Sequence, residues 1–341
     1  MTILPKNHPK INDNIGVLLI NLGTPDNYDF FSVRRYLKEF LSDKRVIELN
    51  KFLWQLILNI FILTFRPGKT GKNYEKIWFK TKKQSPLLYY TKLQAEKLHK
   101  LLNSKNKNII VDFAMRYGSP SIESRINFLR EKKCRKIIFI PLYPQYASAT
   151  TASVNDKIFD VMKKIRYQPA IRINHSYHDQ NLYIKALVRS VKNHLKKMKF
   201  YPDAIISSYH GIPKEYFEKG DPYQCYCHKT NRLFSEELKK EDINISNFIA
   251  FQSRFGPKEW LKPYMEEVLD EVISKNYKKI LIISPGFASD CIETLEEINI
   301  GYREYFLEKG GENFDFIPCL NDGNDHIKLL EKLVKDNLKG F

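Results

Sequence analysis

Short apolar runs that stop at Gly or Pro recur along this chain, separated by longer stretches of mixed polarity. The clearest are Ile15-Gly-Val-Leu-Leu-Ile-Asn-Leu-Gly-Thr-Pro25, Ala204-Ile-Ile-Ser-Ser-Tyr-His-Gly-Ile-Pro213 and Ile280–Ile283 before Ser284-Pro-Gly286. Runs of this length bounded by chain breakers predict buried strands that lead into loops. The order of the runs contains a repeat. The first two match each other, Val111–Pro120 matches Ile249–Pro257, and Arg135–Pro141 matches Lys278–Pro285. Three anchors in one order predict two halves of like topology, each alternating strands and helices in an α/β fold.

The halves differ in length at one place. Gly23 to Arg116 is 93 residues, whereas Gly211 to Arg254 is 43. The surplus of roughly 50 residues is far more than a loop needs. It contains Phe52-Leu-Trp-Gln-Leu-Ile-Leu-Asn-Ile-Phe-Ile-Leu-Thr-Phe65, in which only Gln55 and Asn59 are neither apolar nor Thr. A bilayer span takes about 20 apolar residues, so this stretch is too short to cross one. It reads either as a buried core helix or as an apolar lip in a membrane interface. The lip is favoured, with Leu56, Ile60 and Leu63 among its lipid-facing positions. It lies inside an insertion, and Arg66, Lys69, Lys72 and Lys76 follow it.

A length of 341 residues exceeds one typical core and suits two domains. The formal charge of +17 favours anionic partners, although a cationic surface is also what a solvated lysine coat produces. No G-x-G-x-x-G or P-loop follows any strand, and no basic stripe is interleaved with aromatics, so a nucleotide or nucleic-acid partner is not expected. Residues 1–10 contain no apolar core of signal-peptide length. Five scattered cysteines do not make a disulfide framework and point to a reducing compartment. Cys225-Tyr-Cys-His228 lacks the second pair that a closed zinc site requires.

Two loops carry candidate chemistry. His210 lies at the end of one strand run, and Asp290, Glu293 and Glu297 open a helix after another. Open α/β sheets bind ligands beyond the carboxyl ends of their strands, so the imidazole and the acids face one cleft. Imidazole is a proton acceptor near neutral pH. Glu293 and Glu297, four apart on one helix face, form a line suited to protons or to a divalent metal. Taken singly, His210 also fits a packing histidine and Glu293 a solvated acid near a helix terminus. His175, His178 and His228 read as surface residues.

Together these motifs resemble the ferrochelatase family. The blocks that carry the resemblance are Asn21-Leu-Gly-Thr-Pro25, Met115-Arg-Tyr-Gly118, Pro141–Tyr146 with Ala149-Thr-Thr151, Ser208–Pro213 with Gly220-Asp-Pro-Tyr223, Phe251–Arg254 with Trp260, and Ser289–Leu295. The resemblance implies insertion of Fe2+ into protoporphyrin IX, with two protons released, as the terminal step of heme biosynthesis. It implies two Rossmann-like, chelatase-type domains with four-stranded parallel sheets. These would be residues 1–173, with the lip insertion at about 45–90, and residues 174–323, with a helix at 324–341 packing back on the first. Catalysis and metal contact fall on His210 and Glu293. Porphyrin contact falls on Leu22, Arg66, Tyr74, Arg116, Tyr143, Trp260 and Phe287, and Asp290 and Glu297 fall on a proton or metal path.

Iron is then a substrate, and no cofactor is required. The cysteine group that binds a [2Fe–2S] cluster in many members is absent, since only Cys319 follows Pro318, so no cluster is expected. Cys291 stands where some relatives have His, which alters the metal route. Leu22, where coproporphyrin-using relatives have Tyr, favours protoporphyrin IX. The implied setting is the cytoplasm, on the inner face of the cell membrane, with an anionic membrane surface and the preceding enzyme of the pathway as partners. The chemistry asks for a bent macrocycle, because a flat one hides its nitrogen lone pairs from the metal. Coproporphyrin as substrate and a non-catalytic tetrapyrrole carrier on the same fold are the alternatives.

Overall fold

The computed structural model describes residues 14–104 and 108–341. Met1–Lys10, which are not expected to form a signal segment, lie outside the described residues. Two parallel sheets of four strands form the frame. The first contains β1 (Asn14–Gly23), β2 (Ile109–Tyr117), β3 (Cys134–Pro141) and β4 (Ala170–Ile173) in the order β2-β1-β3-β4. The second contains β5 (Ala204–His210), β6 (Ser246–Gln252), β7 (Lys279–Ile283) and β8 (Asn313–Phe316) in the order β6-β5-β7-β8. The orders are the same, as the repeat predicts.

Strand register fixes which residues are equivalent. Asn21 pairs with Met115 in the first sheet, and Tyr209 pairs with Phe251 in the second. The Met115 N–H donates to the Pro120 carbonyl at 2.8 Å, and the Phe251 N–H donates to the Pro263 carbonyl at 2.9 Å. Leu22 is therefore the counterpart of His210, and Gly23 of Gly211. Both glycines sit where the neighbouring strand is close: a Cβ on Gly23 would lie 1.9 Å from the Tyr117 carbonyl oxygen, and one on Gly211 would lie 3.0 Å from that of Gln252. The second sequence anchor is corrected by two residues. Arg116 corresponds to Gln252 rather than to Arg254, because Arg116-Tyr117 ends β2 whereas Arg254-Phe255 lies in the loop beyond β6.

Alternate residues of each central strand enter different cores, as the two-residue strand period requires. Leu18 and Ile20 of β1 pack on the outer face of the first sheet, and Ile206 and Ile282 on the outer face of the second. Val17, Leu19, Ile205 and Leu281 share one central core with Leu329, Leu330 and Leu333 of the last helix, Asn324–Leu338. The halves are thus joined through a common layer rather than merely tethered.

The insertion is one bent rod. Asn50 caps the helix Lys51–Ile57 by accepting from the Phe52 and Leu53 N–H groups; a π-helical stretch Leu58–Ile62 follows, then a helix Leu63–Ile77 with Pro67 inside it. A π-turn and an internal proline each bend a helix. Leu58 and Leu63 are fully buried against the first half, whereas Phe52 is 86% exposed and Leu53, Leu56, Ile60, Phe61 and Phe65 are all more than half exposed. Leu63 is thus an anchor of the rod and not one of its outward positions, because the π-turn rotates it inward. Among the described residues no helix is long and apolar enough to cross a membrane.

Candidate functional site

A cavity of about 760 Å³ opens between the halves at the carboxyl ends of both sheets. Its apolar wall comes from the first half and the insertion. Leu22 ends β1, Tyr143 follows β3, and Tyr74 stands on the helix after the π-turn. Tyr74 packs edge-on against Tyr36 and Trp78 at 6.5 and 6.2 Å, and burial, then the nearby Glu293, pushes its phenol far above the usual range. Arg66 projects from the same helix toward the second half, its guanidinium 5.7 Å from the Phe255 ring centre. Burial among cavity atoms lowers its pKa, while part of its surface stays open to water.

The second half supplies the titrating groups. His210 closes β5 and presents its ring to the cavity, 6.4 Å from that of Trp260. Its Nδ1 lies 2.6 Å from the Gly211 carbonyl oxygen. A carbonyl only accepts, so Nδ1 carries the hydrogen and the Nε2 lone pair is left for a substrate proton. Glu293 and Glu297 lie on the π-helix Glu293–Tyr302, which begins beyond β7. With roughly 4.4 residues per turn, that helix keeps residues four apart near one face. Glu297 accepts from the Ser253 N–H at 2.8 Å and from the Ser253 hydroxyl at 2.6 Å. Burial raises its carboxyl above the ordinary range; the Ser253 bond and the charge of His210 oppose that shift, and Glu293 adds to it.

Of the residues singled out from sequence, His210, Glu293, Glu297, Leu22, Arg66, Tyr74, Tyr143, Trp260 and Phe287 meet around this cavity. Two do not. Arg116 pairs with Asp43 at 2.5 Å, donates to Ser153 at 2.7 Å and does not reach the cavity wall. That bond set holds the loop before the insertion onto β2. Asp290 is buried one turn back, receiving the Cys319 N–H at 3.1 Å and the Asn321 side-chain amide at 2.6 Å. Its carboxylate packs that loop, and it does not line the cavity. His178 is also corrected, being buried rather than a surface residue; His175 and His228 are exposed.

Three contributors escaped sequence reasoning. Ser253 has φ +65, a left-handed backbone that a non-glycine residue adopts at a cost. There it turns both of its donors to Glu297. Gln252 donates to the Glu293 carbonyl at 2.9 Å and accepts from Ser208 at 2.5 Å, tying β6 to the acidic helix. Glu296 lines the cavity and pairs with Lys76 at 2.8 Å, joining that helix to the insertion. The available signal was position: Gln252 ends β6 as the register partner of His210, and Ser253 follows it. Among the described residues, no three His, Cys, Asp or Glu are grouped to hold a metal ion.

The family model described as ferrochelatase matches residues 14–338. A ferrochelatase of Agrobacterium fabrum (strain C58 / ATCC 33970) is 51% identical over 342 residues, covering 100% of this chain and 98% of its own. One from Francisella tularensis subsp. novicida (strain U112) is 51% identical over 322 residues, covering 94% and 95%. Among solved structures, SirB from Bacillus subtilis with Fe3+ superposes with a TM-score of 0.56 at 10% identity, over 96% of this chain and 98% of that one. CbiX, described as the terminal enzyme of siroheme biosynthesis in denitrifying bacteria, gives 0.50 at 9% identity over 95% and 99%. At such identities the two structures speak to the chelatase-type fold alone.

Proposed function

Since the chain belongs to the ferrochelatase family, we propose that its cleft holds protoporphyrin IX against the apolar wall while His210, Glu293 and Glu297 exchange protons for iron. The protein is an enzyme that inserts ferrous iron into a porphyrin, the terminal step of heme biosynthesis. In that reaction two pyrrole N–H bonds break, two protons leave, and Fe2+ takes the four ring nitrogens with no change of oxidation state.

One observation carries the assignment of roles. The free Nε2 of His210 and the carboxylates of Glu293 and Glu297 enter one cavity whose opposite wall is apolar and aromatic. A macrocycle laid on Leu22, Tyr74 and Tyr143 and bent there would turn its nitrogen lone pairs and N–H groups toward these groups. His210 then accepts a pyrrole proton, and the two carboxylates offer oxygen ligands to a metal shedding its water. Arg66, which has no carboxylate partner within 4 Å among the described residues, suits a propionate. Leu22 supplies no polar group for the additional carboxylates of coproporphyrin, which supports protoporphyrin IX.

The exposed face of the insertion supports peripheral attachment to an anionic membrane surface, and with it a cytoplasmic place on the inner membrane face. The proposed chemistry draws on side chains and two substrates, without a resident cofactor or an iron–sulfur cluster. Anaerobic mixing with protoporphyrin IX and Fe2+ tests the reading: conversion of the free-base absorption bands to those of the metalated ring is expected. An unchanged free-base spectrum would identify a carrier instead, and faster turnover of coproporphyrin would reverse the substrate assignment.

A further inference from the structure

Both oxygens of the Glu297 carboxylate are held by one residue. The Ser253 N–H donates to Oε1 at 2.8 Å, and the Ser253 hydroxyl donates to Oε2 at 2.6 Å. The second bond has the length typical of a hydroxyl on an ionised carboxylate. A carboxylate bound through a single oxygen still turns about its last C–C bond, whereas donors on both oxygens fix its plane. An ionised carboxylate has about four lone-pair sites, so lone pairs on both oxygens remain for the cavity that Glu297 lines.

The backbone that aims these donors is itself held in place. Ser253 has φ +65, which a residue with a Cβ keeps only where its surroundings over-determine it. Gln252, immediately before it, is buried and bonded three times. Its backbone carbonyl accepts from the Gly211 N–H at 2.8 Å, its side-chain oxygen accepts from the Ser208 hydroxyl at 2.5 Å, and its side-chain amide donates to the Glu293 carbonyl at 2.9 Å. The chain therefore leaves β6 fixed both to the end of β5, beside His210, and to the first residue of the acidic helix. The left-handed turn at Ser253 then points both donors at Glu297 on that same helix. Glycine takes such a backbone most readily, but it would lack the hydroxyl. Strain kept at a residue that bonds a site group points to a role in the site rather than in the fold.

We propose that Ser253 is a positioning residue for iron insertion, setting the Glu297 carboxylate in the orientation that receives the incoming Fe2+. It rests on the reading of Glu297 as an oxygen ligand for that ion. The effect of Ser253 reaches the reaction through Glu297. A ligand oriented in advance loses little rotational freedom when the ion arrives, so the gain lies in the capture of iron. Porphyrin affinity belongs to the apolar wall of Leu22, Tyr74 and Tyr143 and is not expected to change with Ser253.

The test compares wild type, Ser253→Gly, Ser253→Thr, Glu297→Ala and the double variant Ser253→Gly with Glu297→Ala in anaerobic insertion of Fe2+ into protoporphyrin IX. Ser253→Gly keeps the N–H donor and relaxes the left-handed backbone. Ser253→Thr keeps the hydroxyl, but its branched side chain suits that backbone worse. Stability in denaturant should therefore rank Ser253→Gly first and Ser253→Thr last. Insertion should rank the two variants the other way. The kcat/KM for Fe2+ is expected to fall roughly tenfold in Ser253→Gly, the low end of what one hydrogen bond to a charged group is worth, and less in Ser253→Thr. The Kd for protoporphyrin IX should stay at the wild-type value in both. Beside Glu297→Ala, Ser253→Gly should bring no further loss, because no carboxylate is left to orient. Insertion that follows the order of stability would overturn the proposal, as would a Ser253→Gly loss that persists in full beside Glu297→Ala. Both results leave the metal role of Glu297 standing. A wild-type rate in Glu297→Ala would instead remove Glu297 from the reaction, and Ser253 with it.

Discussion

Two halves with the same strand order face one cavity and contribute opposite chemistry to it. At the end of the central strand the first half has Leu22 and the second has His210. Beyond the third strand each opens its helix with a π-turn. In the first this is Ser148-Ala-Thr-Thr-Ala152, small and uncharged; in the second it is Glu293–Tyr302, with three glutamates. The first half adds the insertion, which supplies Arg66, Tyr74 and the outward apolar face. The repeated topology supplies the frame, and the imidazole and the acids lie on one side of it. In the proposed reaction the porphyrin would rest one face on apolar surface while the other meets the base and the acids.

Removing His210 breaks this asymmetry most directly. His210→Ala is expected to lower single-turnover insertion by 10²–10⁴-fold, the usual worth of a positioned base, whereas Leu22→Ala at the equivalent position should mainly raise the KM for porphyrin. Equal losses of rate in both would show that chemistry is shared between the halves. Glu293→Gln keeps the size of the side chain and removes its charge. A large fall in rate with nearly unchanged porphyrin affinity is expected, and a change confined to affinity would make Glu293 a binding residue.

The insertion sharpens the comparison through stability. Leu63→Ala empties a buried anchor and should cost about 2–5 kcal/mol in denaturant unfolding. The triple change Leu56→Ser, Ile60→Ser and Phe61→Ser touches only outward positions. It should leave unfolding close to wild type, since each surface change is worth about ±0.5 kcal/mol, while abolishing sedimentation with anionic liposomes. Strong destabilisation by the triple change would assign that face to a core.

The smallest effect concerns Glu297, whose carboxyl pKa is raised by burial. A proton bound more tightly in the folded state favours folding at low pH, and that contribution fades as pH rises through the folded value. Glu297→Gln should therefore raise the Tm at pH 7 while slowing insertion, with the gain in Tm shrinking as pH falls toward about 4.3, the unperturbed value for glutamate. A lower Tm at pH 7 would show that the Ser253 bonds outweigh the cost of burial.

Much of this protein was determined by its sequence alone. Apolar runs ending at Gly or Pro marked the central strands, because buried parallel strands need both features, and their order revealed the duplication. The meeting of His210 and Glu293 at one cavity was legible because the carboxyl ends of such strands are where open sheets place ligands. The insertion was legible through its length and its apolar density. Tertiary structure decided the rest. Arg116 and Asp290 lie in the segments that lead to the cavity, but pairing to Asp43 and bonding to Asn321 place them outside its lining. Leu63 turns inward because a π-turn adds residues to one revolution, which no apolar run reveals. Ser253 reaches Glu297 through a left-handed backbone and a contact 44 residues away in sequence. Periodicity reports which face of an element is buried; which polar atoms meet there depends on how distant elements pack, and only the fold brings them together.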